Sequence, residues 1–145
     1  MRAPRIRRTV DDKPVVPTEH QEQVKVIQWW ALACHAYQIP EYALFAVPNG
    51  GARNVITASL LKAEGVRRGA LDLILACPTN ASHGLFLEMK RQSGSLSDVT
   101  PDQRAYLEYL QSVGYEASVH WSGDSAIAAI QAYLRDHLSL LPGAP

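Results

Sequence analysis

Apolar residues recur along this chain with two different periods, and the changes from one period to the other outline its elements. Val24, Ile27, Ala31 and Cys34 repeat at helical intervals, and Thr18 and Gln21 just before them have capping-box spacing. A first helix is therefore expected from about Glu19 to Tyr37. Pro40 separates it from Tyr42–Val47, a short apolar run bounded by Pro48-Asn-Gly-Gly, which reads as a buried strand ending in a turn. A second helix over about Val55–Glu64 should stop at Gly65, where a left-handed cap residue is common.

Two further apolar runs, Leu71–Ala76 and Gly84–Lys90, read as a central hairpin joined by the polar segment Pro78–His83. After a Ser/Gly-rich loop over Gln92–Val99, Thr100-Pro-Asp-Gln opens a helix that turns Leu107, Leu110 and Val113 inward and ends at Gly114. Tyr115–Trp121 is a last strand, and a final helix from about Asp124 carries the stripe Ile127, Ile130 and Leu134. This order predicts an α/β sandwich, a four-stranded mixed sheet flanked by helices. Residues 1–16 mix Arg2, Arg5, Arg7 and Arg8 with aspartates and prolines, without hydrophobic period, and read as a flexible arm. Residues 139–145 read as a loose tail, which leaves one domain over 17–138.

Composition narrows the function classes more than it names one. A chain of 145 residues holds one domain with a real core, and its formal charge of zero does not by itself ask for a polyanionic partner. Local charge says more, because Arg53, Lys62, Arg67 and Arg68 gather ahead of Asp72, either as solvated surface or as phosphate contacts. Cys34 and Cys77 have no Cys or His at zinc-finger spacing, so a reducing cytoplasm fits best. No apolar stretch approaches bilayer-spanning length. The five histidines form no HExxH pattern, and no GxxxxGK[ST], GxSxG or GxGxxG segment is present. Zinc hydrolase, NTPase, serine hydrolase and dinucleotide enzyme are disfavoured.

Candidate chemistry sits on the hairpin. Strand alternation puts Phe86, Glu88 and Lys90 on one face, with Glu88 and Lys90 roughly 6.5–7 Å apart at Cα. Asp72 interrupts an apolar strand, where a lone carboxylate needs a partner, exposure at the strand end or a metal. In one hairpin register Asp72 lies beside Glu88, and two such carboxylates repel unless a cation or proton sits between them. Mg²⁺ takes one or two protein carboxylates and fills its octahedron with water and phosphate oxygens. Lys90 adds a positive charge that can orient attacking water and offset charge on a phosphate.

Asp72, fifteen intervening residues and then Glu88-Met-Lys90 resemble the PD-(D/E)xK nuclease pattern. Around it, Gly69-Ala-Leu-Asp72-Leu-Ile-Leu, Gly84-Leu-Phe-Leu-Glu88-Met-Lys90-Arg, Gly94-x-Leu-Ser97 and Gln103 resemble the VRR-NUC family of virus-type replication and repair nucleases. So do Glu19-x-x-x-Gln23 with Trp29, Pro48-Asn-Gly-Gly and Gly65-Val-x-x-Gly69, upstream and in the family's order, which extends the resemblance over roughly residues 18–136. Leu71 stands where the family often has proline.

The resemblance implies a PD-(D/E)xK-like fold and a metal-dependent DNA endonuclease. In it Asp72 and Glu88 ligate Mg²⁺ or Mn²⁺, the Met89 carbonyl adds a backbone ligand, and Lys90 is the catalytic lysine. Glu19, or else Glu22, is a helix-borne acid and a further candidate ligand. Gln103 is read as a capping residue, as a side chain that supports the catalytic groups or faces a phosphate, or as both. Asn49, Arg53, Lys62, Arg67 and Arg68 are candidate nucleic-acid contacts. Similarity of small members to Holliday-junction resolvases implies a homodimer acting on branched DNA in a bacterial or phage-infected cell. The alternative is a non-catalytic nucleic-acid-binding module on the same fold.

Overall fold

The structure, a computed structural model, describes residues 15–48 and 55–138. Helix α1 (Glu19–Ala33) runs on into a 3-10 turn at Cys34–Tyr37 and is followed by strand β1 (Leu44–Ala46) and helix α2 (Val55–Ala63). Strands β2 (Leu73–Leu75) and β3 (Leu85–Met89) lead to α3 (Pro101–Ser112), β4 (Glu116–His120) and α4 (Gly123–Leu138). The sheet order is β1-β2-β3-β4. The first two pairings are antiparallel, and β3 and β4 are parallel with α3 as their crossover. The expected mixed α/β sandwich is therefore the observed one.

Alternation along β3 divides the core. Leu85, Leu87 and Met89 are fully buried and meet Leu73 and Leu75 of β2, Val26 and Trp30 of α1, and Ala126, Ile130 and Leu134 of α4. On the other face Phe86 packs with Leu71, Ala117, Leu110, Tyr106 and Tyr115 under α3. Each fully buried leucine contributes about 1.5–3 kcal/mol of hydrophobic free energy. α1 and α4 on one face and α3 on the other thus pack around β2 and β3.

Several local details differ from the expected pattern. The inward stripe of α1 is Glu22, Val26 and Trp30, leading to Cys34, whereas Val24 is exposed at 36%. Trp30 outweighs Val24 in buried area and anchors its ring N–H on the Glu41 carbonyl at 2.8 Å, which sets the helix's rotation. Tyr42 lies in a 3-10 turn and is 83% exposed, so β1 is shorter than the apolar run. Val113, past the end of α3, is also exposed. β2 starts at Leu73, yet the Asp72 carbonyl still accepts the Val47 N–H at 2.8 Å, so the pairing continues past the strand. Gly65 has φ 98°, as its helix-stopping role requires. No helix among the described residues is long and apolar enough to cross a membrane.

Leu87→Ala, in the middle of β3, should lower the unfolding free energy by about 2–5 kcal/mol. Urea denaturation checks this, and a change below about 1 kcal/mol would contradict the placement of Leu87 in a close-packed core.

Candidate active site

The β2/β3 register opposes Leu73 to Leu87 and therefore brings Asp72 opposite Glu88. Asp72 is held by its Oδ2, which accepts the Met89 N–H at 2.7 Å. Met89 buries its own side chain in the core, so its backbone is a stiff part of this corner. Glu88 is 1% exposed. Its Oε1 accepts from Lys90 Nζ at 2.6 Å and from Gln103 Nε2. Its Oε2 is buried and has no hydrogen-bond partner among the described residues.

Gln103 reaches Glu88 because of how α3 begins. The Thr100 N–H donates to Gln103 Oε1 at 2.9 Å while the Gln103 N–H donates to Thr100 Oγ1 at 3.2 Å, a complete capping box with Pro101 at the first helical position. The cap occupies the amide oxygen and so turns the amide nitrogen toward the carboxylate. Capping and contact with Glu88 occur together in one side chain.

Glu19 and Glu22, left open as alternatives, take separate places. Glu19, in the first turn of α1, lines a cavity of about 1040 Å³ together with Asp72, Glu88, Lys90 and Gln103. Glu22 is buried and bonds away from it, to Gln92 Nε2 and the Gly123 N–H. The same cavity is also lined by Lys62, Arg67 and Arg68, which follow or close α2. Gly69 ends this stretch, with φ 78°. A Cβ there would lie 2.6 Å from the Asp102 backbone, so only glycine lets the segment before Asp72 touch the start of α3. Asn49 and Arg53 lie outside the described residues.

A family model of the VRR-NUC domain matches residues 17–122. The chain belongs to the VRR-NUC family. It is similar to a solved structure described as a VRR_NUC domain protein, with 29% identity, a TM-score of 0.69, and 83% of this chain and 90% of that one covered. No curated protein gives a significant match. The family makes the chain a nuclease-type DNA-processing module. Helix α4 begins just past the segment matched by the VRR-NUC model, although it supplies Ile130 and Leu134 to the same core.

Within this VRR-NUC site three carboxyl groups share one imbalance. Burial raises the pKa of Glu88 to about 7; Lys90 opposes that shift, while Asp72 and Glu19 add to it. Asp72 is raised by burial against the pull of the Met89 N–H and Lys90. Glu19 is raised by burial and by Asp72, and lowered by Lys90 and Arg91. A buried Glu88 with a free oxygen beside the half-buried Asp72 fits a hard divalent cation, which removes the repulsion and supplies the missing contact. No group of three or more His, Cys, Asp or Glu side chains among the described residues forms a ready-made metal cage. Two protein carboxylates suffice for Mg²⁺ when water and phosphate complete its shell.

Arg91 was not singled out from the sequence. Alternation aims it away from Glu88 and Lys90, and it lies just past Lys90, the last residue paired to the sheet. Its positive charge lowers the pKa of Glu19.

A carboxyl group with a higher pKa in the folded than in the unfolded state favours folding when protonated. The metal-free protein should therefore lose stability as pH rises from the ordinary carboxyl range through about 7. In thermal melts with EDTA, Tm should fall between about pH 5 and about pH 8, and Glu88→Gln should flatten that fall. An equally steep fall in Glu88→Gln would contradict the electrostatic picture of this carboxyl group.

Proposed function

We propose that the protein is a Mg²⁺- or Mn²⁺-dependent DNA endonuclease that hydrolyses phosphodiester bonds in structured DNA such as four-way junctions. The observation that carries this reading is the buried, unpartnered Glu88 Oε2 beside Asp72, within reach of a lysine. The donors are hard oxygens, as these cations require. Asp72 and Glu88 would hold the ion with the Met89 carbonyl, and Glu19 would complete the acidic side of the site. When bound, the cation lowers the pKa of water and offsets charge on the phosphate.

The remaining work falls to the chain's own groups. Lys90 brings positive charge to the attacking side, where it orients the incoming water and stabilises charge growing on the phosphate. Gln103 holds Glu88 from α3 by donating to Oε1, which leaves Oε2 as the oxygen without a protein partner among the described residues. Lys62, Arg67 and Arg68 line the same 1040 Å³ cavity and are suited to hold the phosphates of a strand entering it. The single Arg68–Asp102 ion pair, at 4.0 Å and exposed on both sides, leaves that guanidinium free to exchange partners. We assign the catalytic unit to residues 17–138, so that it includes α4. The two cuts of a branched substrate require paired sites, hence a homodimer.

Asp72→Ala should retain the fold yet lower metal-dependent cleavage by at least about 10³-fold, and Lys90→Ala by about 10²–10³-fold. Cleavage of single-stranded, duplex, flap and junction DNA with each metal, beside a solution mass, tests activity, substrate and assembly together. Undiminished cutting by Asp72→Ala would overturn the site, and tight junction binding without cutting by the wild type would favour a binding module.

A further inference from the structure

Glu22 is a buried carboxyl group on α1, 3% exposed, that takes no part in the cavity. Both of its oxygens are committed. Oε1 accepts from Gln92 Nε2 at 2.7 Å, and Oε2 accepts the Gly123 N–H at 2.6 Å. Gly123 opens α4, Gln92 follows Lys90 by two residues, and Glu22 follows Glu19 by one helical turn. One side chain thus ties three segments together: the helix that carries Glu19, the chain leaving β3 just past Lys90, and the start of α4.

The contact is closely built. A Cβ on Gly123 would lie 2.8 Å from the Glu22 carbonyl oxygen and 3.1 Å from Oε2, so the glycine lets the start of α4 close on the α1 backbone where the carboxyl group bonds. Beside it Lys25 Nζ meets Asp124 Oδ2 at 2.7 Å, a partly exposed pair that guides the same approach but holds it weakly. The sheet itself restrains the chain only as far as Lys90, whose N–H donates to the His120 carbonyl at 2.8 Å. Beyond that point the Gln92 amide is the next tie from this segment to another element, and it is made to α1.

We propose that Glu22 and Gln92 are positioning residues that set the separation between Glu19 on α1 and Lys90 at the end of β3. The inference rests on the metal-dependent nuclease reading above. Catalytic groups displaced by about 1 Å can lose about 10²-fold in rate without loss of substrate binding, so the bridge should act on turnover rather than on affinity.

The chemistry of the bridge supplies its own test. Gln92→Glu sets two carboxyl groups against each other. The exchanged pair Glu22→Gln with Gln92→Glu restores the bridge, because the amide now on α1 can donate to the carboxyl group introduced at position 92 while its oxygen still accepts the Gly123 N–H. At 25 °C, with folding checked by circular dichroism, Gln92→Glu should lower kcat about tenfold with KM for DNA within about twofold, and the exchanged pair should recover kcat to within about threefold. Gln92→Ala, at an exposed position, should show the same kcat loss in milder form. A wild type that cuts DNA while a folded Gln92→Glu matches it, loses only in KM, or is not rescued by the exchange overturns the bridge. A wild type that cuts no DNA with either metal overturns the nuclease reading, and the bridge with it.

Discussion

Two carboxyl groups held side by side in a largely apolar sheet repel each other and are poorly solvated, Glu88 most of all, and the architecture around Asp72 and Glu88 answers that constraint. Their adjacency is not free to relax. It follows from the register that opposes Leu73 to Leu87, and that register is enforced by leucines buried against α1 and α4. A slip of one residue would expose those leucines and bury polar groups in their place. The same packing that stabilises the sheet therefore keeps the acidic pair together, and its cost appears as the raised pKa values of Glu88, Asp72 and Glu19.

The partners that each carboxyl group does have are supplied by elements whose own termini need satisfying. The Met89 N–H that holds Asp72 belongs to the strand end, and the Gln103 amide that holds Glu88 belongs to a helix cap. Glu22 repeats the device at the start of α4, where it accepts an N–H that the helix cannot pair internally. Backbone groups left over at the ends of β3, α3 and α4 are thus the fixed points from which the side chains of the site are aimed. Stability and site geometry rest on the same bonds.

Much of this was legible along the chain because it depends on period and local chemistry. Element order, the β2/β3 hairpin, the capping boxes at Thr18 and Thr100, and the separation of Leu85, Leu87 and Met89 from Phe86 and Glu88 all follow from spacing within a few residues. Acid-x-Lys on a strand, preceded by an acid on its neighbour, marked the same three residues that converge in the structure. Errors fell where local rules run out. Val24 and Trp30 compete for the inward face of α1 and only packing decides between them, while Tyr42 looks like strand but turns outward in a 3-10 turn.

Sequence alone determined which residues carry ionisable chemistry and on which strand face they stand, since side-chain alternation and capping are properties of a short segment. The tertiary structure decided what distant residues do to one another. Glu19 and Glu22 are one turn apart and chemically identical, yet one lines the cavity and the other ties α1 to Gln92 and α4. Register, helix rotation and desolvation arise from contacts between residues far apart in the chain, and no local pattern contains them.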